Sequence, residues 1–210
     1  MSVTLDYDGY FFDLDGTILL GDELLPGAAA ALARLREQGK TILFLSNTTT
    51  RSRAECCLRL RGLGLEASLH EIVTAAYASA VYMRERQETE PAPLVMIVGE
   101  RAMAEELREQ GVRLTADPLA ATHVLVGMDR SFDYGKLHKA MRAVRNGAAL
   151  IVANPDPSCP VAGDLVPDTW AIAQAIEAAS GVSPLAVIGK PSAFYAATAL
   201  EPSGLSGDRC

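Results

Sequence analysis

Short apolar runs alternate with longer amphipathic stretches along most of this chain. The runs are Tyr10–Leu14, Thr41–Leu45, Leu94–Val98, His123–Val126, Leu150–Ala153 and Leu185–Ile188. Each is nearly all apolar and is followed by small or polar residues, the pattern of strands buried on both faces in a parallel sheet. The stretches between them predict helices over Gly27–Gln38, Arg51–Arg61, Thr74–Gln87, Arg101–Gln110, Tyr134–Asn146, Asp168–Ala179 and Ser192–Leu200. Start and stop signals agree: Pro26 opens the first helix and Gly39 closes it, while Gly111, Gly147 and Gly181 close three others. Strand–helix alternation throughout predicts an α/β fold with a Rossmann-like parallel sheet and crossover connections.

Two interruptions divide the pattern. Gln87–Pro93 is polar and carries two prolines, and Gly181-Val182-Ser183-Pro184 precedes the last apolar run. They predict a discontinuous unit, residues 1–83 with 184–210, holding an α/β domain inserted over residues 84–183.

Composition narrows the function classes. The chain has 210 residues, 49% hydrophobic and 21% charged, enough for a sizeable core. A net charge of −7 without a basic stripe argues against a nucleic-acid surface. No apolar stretch approaches the roughly 20 residues that cross a bilayer, and Met1–Asp6 lacks a basic segment leading into an apolar one. The expectation is a soluble cytoplasmic protein. Cys56, Cys57, Cys159 and Cys210 form no C-x-x-C pair and read as reduced thiols. His70, His123 and His138 lack ligand spacing and read as surface or packing residues.

The chemistry lies just beyond the strands of the outer segments, because open α/β sheets bind ligands outside their carboxyl ends. After the first run comes Asp13-Leu14-Asp15-Gly16-Thr17, after the second Ser46-Asn47-Thr48-Thr49-Thr50, and after the last Gly189-Lys190-Pro191. Alone, each has a structural reading: a D-x-D turn, an N-cap region for the helix at Arg51, a turn with an exposed lysine. Together they bring two carboxylates, short hydrogen-bond donors and one cation to a sheet edge. Such a set suits a phosphoryl group. One aspartate can attack phosphorus, and the other can act as general acid and then base, a role worth roughly 10²–10⁴-fold. Two adjacent carboxylates at the mouth of a buried strand are expected to lose hydration, which favours a proton on Asp15.

These motifs resemble motifs I, II and III of the haloacid dehalogenase superfamily of phosphatases. The likeness extends through Gly21–Ala28, Val98-Gly99-Glu100, Asn154-Pro155-Asp156 and Val187–Ser192 to the subfamily with a large α/β cap between motifs II and III, which includes 4-nitrophenylphosphatases and ribonucleotide phosphatases. The resemblance implies Asp13 as nucleophile, Asp15 as general acid/base, Ser46 and Asn47 as phosphate ligands, and Lys190 as the neutralising cation. It implies Mg²⁺ on the Asp13 carboxylate and the Asp15 main-chain carbonyl, a small phosphorylated metabolite as substrate, and a homodimer formed through the cap. Glu100 and Asn154-Pro155-Asp156 receive no chemical role, and Asp22 is expected to stabilise its loop.

The chain departs from the family pattern twice. The fourth motif, which completes the Mg²⁺ site, is not found: Gly207-Asp208 follows no apolar strand and lies too close to Lys190 for a helix, turn and strand to intervene. The 210 residues therefore read as a fragment, and a phosphate-binding protein with impaired catalysis is the alternative function. Transfer of the phosphoryl group to an acceptor other than water is a third reading. In Pro167-Asp168-Thr169-Trp170, Asp168 and Trp170 replace small residues and read as an N-cap and a packed aromatic.

Overall fold

The computed structural model describes residues 7–88, 92–161 and 163–210. Met1–Asp6 and the centre of the 87–93 linker lie outside the described residues. Strand β1 (Gly9–Asp13) enters a tight turn and a small hairpin of β2 (Leu19–Leu20) and β3 (Glu23–Leu24). Helix α1 (Ala28–Glu37), β4 (Thr41–Ser46), α2 (Arg53–Gly62), β5 (Ile72–Thr74) and α3 (Ala75–Arg84) come next. The chain continues through β6 (Leu94–Val98), α4 (Arg101–Glu109), β7 (Arg113–Leu114), β8 (His123–Val126), α5 (Tyr134–Arg145) and β9 (Ala149–Val152). A hairpin of β10 (Ser158–Val161) and β11 (Asp164–Pro167) leads to α6 (Thr169–Ser180), β12 (Ala186–Val187) and α7 (Ala193–Leu200).

Two parallel sheets result. The first has the order β1-β4-β5 and the second β12-β9-β8-β6-β7. The α/β expectation and the predicted helices hold, with ends shifted by a few residues. One strand sits elsewhere than expected. The run Leu185–Ile188, expected in the unit of β1, pairs Ala186 with Ile151 and Val187 with Val152 on the edge of the second sheet. An apolar run records that a strand is buried but not which neighbour supplies its ladder.

Helix α3 joins the two sheets. Eight of its ten residues are buried, and four of those are alanine. A helix apolar on nearly every face belongs inside, and small side chains let its neighbours approach closely. Around it one continuous core runs from Leu43 and Val73 of the first sheet to Val95, Leu125 and Ile151 of the second.

Local signals are partly where the sequence put them. Asp168 caps α6, accepting from the Thr169 N–H at 2.5 Å, and Trp170 packs against the core of the second sheet. The cap of α2, however, is Ser52 rather than the Ser46–Thr48 stretch. Ser52 Oγ accepts from the Glu55 N–H (3.2 Å) and Glu55 Oε2 from the Ser52 N–H (2.8 Å), a reciprocal capping box. That leaves Ser46–Thr50 free of helical duty.

Candidate active site

Asp13 is the last residue of β1. Its Oδ1 accepts from the Leu14 N–H at 3.0 Å and from Lys190 Nζ at 2.5 Å. Oδ2 makes no hydrogen bond among the described residues. The partners are 177 positions apart in the chain, so the pair exists only because the β1 and β12 loops meet. Beyond Asp13 the chain folds back on itself: the Leu14 carbonyl accepts from the Ile18 and Leu19 N–H groups, and Gly16 takes φ +84°, a region costly for other residues. This turn aims Asp15 outward.

The expected dehydration of Asp15 is not met. Its side chain is 59% exposed, and its neighbour is a cation, Arg59 of α2, with Nη1 3.4 Å from Oδ1. The same guanidinium donates to the Gly21 carbonyl and to Asp22 Oδ1 at 3.3 Å, tying the β2–β3 hairpin to α2. Asp22 thus holds its loop, as expected.

Ser46 and Asn47 reach the site but are engaged within it. Ser46 is buried, its Oγ accepts from the Thr48 N–H at 3.1 Å, and its N–H donates to Tyr195 Oη at 3.0 Å. Asn47 is a junction: its Nδ2 donates to Asp156 Oδ2 (3.0 Å) and the Lys190 carbonyl (3.2 Å), and its Oδ1 accepts from the Lys190 N–H (2.8 Å). Fully buried Asn154 donates to the Asn47 carbonyl at 2.8 Å. Asn154-Pro155-Asp156, to which the sequence assigned no chemistry, is therefore the brace that fixes motif II against the lysine loop.

Gly189 allows this convergence. A Cβ there would stand 2.7 Å from the Ala153 carbonyl oxygen and 2.8 Å from Asn47 Oδ1, closer than real side chains come. The following Lys190-Pro191 peptide is cis.

Sequence reasoning also missed Tyr195. It is 1% exposed, and its hydroxyl accepts from the Ser46 N–H and donates to the Val73 carbonyl at 2.6 Å. Burial pushes its pKa far above the usual phenolic range, so it stays a neutral bridge. The one legible signal was a tyrosine in the mostly apolar Ala193–Leu200 segment, since a buried hydroxyl needs a partner.

The donors for a metal are few. The Asp13 carboxylate and the Asp15 carbonyl, which accepts none of the backbone bonds of the turn, are hard oxygens suited to Mg²⁺. No group of three or more acidic, His or Cys side chains able to hold a metal occurs among the described residues. Two protein oxygens fit an ion that keeps several waters and binds phosphate oxygens. Asp208 does not add to them. It lies in the surface turn Gly207–Arg209, whose Arg209 carbonyl accepts from the Asp8 N–H. That is the far end of β1 from Asp13, about 13 Å away at roughly 3.3 Å per residue.

Burial raises Cys56 to about 12, and all four cysteines are free thiols. No described helix is long and apolar enough to cross a membrane.

A model of the haloacid dehalogenase-like hydrolases matches residues 10–113. The sugar-phosphatase AraL of Bacillus subtilis is 34% identical over 202 residues, covering 96% of this chain and 73% of that protein. Among solved structures, a p-nitrophenyl phosphatase from Archaeoglobus fulgidus superposes with TM-score 0.88 at 35% identity, over 96% of this chain and 76% of its own. A glycerol phosphate phosphatase from Mycobacterium tuberculosis, in complex with magnesium, gives 0.86 at 30% identity, over 95% of this chain and 59% of its own. Likeness of this extent, over a fold whose strand ends carry the three expected motifs, places the chain in the haloacid dehalogenase-like hydrolases, as a phosphatase of the class IIA cap type.

Proposed function

We propose that this chain hydrolyses a small phosphomonoester through an aspartyl-phosphate. The observation that carries the reading is the Asp13–Lys190 contact: Oδ1 is held by the lysine while Oδ2 is free. Asp13 Oδ2 attacks phosphorus, forming the carboxyl O–P bond as the ester O–P bond breaks. Asp15 protonates the departing alkoxide, then takes a proton from the water that cleaves the aspartyl-phosphate and restores Asp13. Lys190 sits where it can shift from Asp13 to the phosphoryl oxygens as charge gathers there. Asn47 acts by position, fixing Lys190 through both of its amide atoms.

Asp13 and the Asp15 carbonyl would hold Mg²⁺, which when bound supplies positive charge to the phosphoryl oxygens. Residues 84–183, which carry all of the second sheet but β12, would act as the cap that excludes water and selects substrate. The relatives are phosphatases by name, which supports turnover over binding alone.

The test is p-nitrophenyl phosphate hydrolysis with Mg²⁺ and with EDTA, beside Asp13→Asn. Turnover that needs both Mg²⁺ and Asp13 is expected. Ligand-dependent thermal stabilisation without turnover would favour binding alone, and activity unchanged in Asp13→Asn would overturn the mechanism.

A further inference from the structure

Beside Asp15 opens a cleft of about 480 Å³ between the two units. Four arginines line it: Arg51 and Arg59 from the first unit, Arg101 and Arg130 from the second. Of the 19 basic residues in a chain of net charge −7, four line this cleft, against three carboxylates, Asp22, Glu55 and Glu100.

Three of these arginines have counter-ions on the same walls. Arg130 grips Glu100 through Nε (2.7 Å) and Nη2 (2.6 Å), Arg101 pairs with Glu55 and Glu105, and Arg59 with Asp15 and Asp22. Arg51 has no hydrogen bond or ion pair among the described residues, although it comes directly after the Ser46–Thr50 loop. Arg130 also keeps a donor in reserve, since its Nη1 is not used in the bonds to Glu100. A guanidinium carries five N–H donors in a fixed fork that matches carboxylate or phosphate oxygens.

Arg59 belongs to both places: it touches Asp15 and lines the cleft. The group leaving past Asp15 would therefore enter this space. We propose that the cleft selects phosphomonoesters whose leaving group bears a second anionic group, with Arg51 as the residue that receives it. The proposal rests on the phosphomonoesterase reading of the adjacent site, and it names the substrate class for that site. Asp22, Glu55 and Glu100 hold the neighbouring arginines in place.

The test compares matched pairs. Fructose 1,6-bisphosphate and fructose 6-phosphate differ by a second phosphate. 3-Phosphoglycerate and glycerol 3-phosphate differ by a carboxylate in place of a hydroxymethyl group. Binding to the Asp13→Asn chain is read by calorimetry, so the result does not depend on turnover, and kcat/KM is read for the unmodified chain. The doubly anionic member of at least one pair should be favoured about tenfold or more. Preference in the first pair alone identifies a second phosphate, in the second pair alone a carboxylate, and in both any second anion. Adding Arg51→Gln should collapse that ratio towards one, while Arg145→Gln, on the exposed face of α5, should preserve it. Equal binding within both pairs, or a preference that survives Arg51→Gln, overturns the proposal. Binding preference without any turnover would leave it standing while the hydrolytic reading fell.

Discussion

Replacing Tyr195 with phenylalanine removes one oxygen atom and tests how the phosphate loop is held. The ring is fully buried and its hydroxyl links the ends of two strands, accepting from Ser46 of β4 and donating to Val73 of β5. In the variant the ring still fills its space, so no cavity larger than the hydroxyl appears. Two backbone groups, the Ser46 N–H and the Val73 carbonyl, lose a partner where water has no easy access. An unsatisfied buried group costs about 1–3 kcal/mol, the carbonyl less because its second lone pair remains usable. The sum is about 2–3 kcal/mol of stability. With a urea slope of roughly 2 kcal/mol per molar, the unfolding midpoint should fall by about 1 M at unchanged slope. The Ser46 main chain would also shift, raising KM for phosphate esters. A midpoint shift below about 0.3 M would refute the bridge, because it would mean that at least one of the two groups finds another partner.

Gly189→Ala would push a methyl group against the Ala153 carbonyl and Asn47 Oδ1. A stability loss of about 1–3 kcal/mol from overpacking is expected, with a larger proportional loss of kcat as Lys190 moves, checked by urea melts and steady-state kinetics. His123 is held below its ordinary value of 6.5, first by burial and then by the charge of Arg86. The unfolded chain therefore takes up the proton first, so stability should decline as pH falls below about 6.5 and continue to fall through the lower folded value. His123→Gln should flatten that part of the profile in urea midpoints measured between about pH 5 and 8.

The parallel α/β architecture was legible because strands buried on both faces must read as continuous apolar runs, as Leu94–Val98 and His123–Val126 do. The very short strands were not. Leu19–Leu20, Glu23–Leu24 and Arg113–Leu114 have two residues each and no period to detect. The hairpin Ser158–Val161 with Asp164–Pro167 is largely exposed and carries prolines that mask its strand character.

Within the site the same division holds. By itself the sequence determined which chemical groups stand at strand ends: Asp13, Asp15, Ser46, Asn47 and Lys190 each terminate or follow an apolar run, and local burial suffices to place them there. Tertiary structure alone decided their partners. Lys190 meets Asp13 across 177 positions, Asn154 and Asp156 brace Asn47 across more than a hundred, and Tyr195 reaches Ser46 across 149. It also set Asp15 in solvent beside Arg59 rather than in a dehydrated mouth. Charge and hydrogen bonding are fixed by distances of a few ångströms, and such distances between remote segments depend on packing that no local pattern encodes.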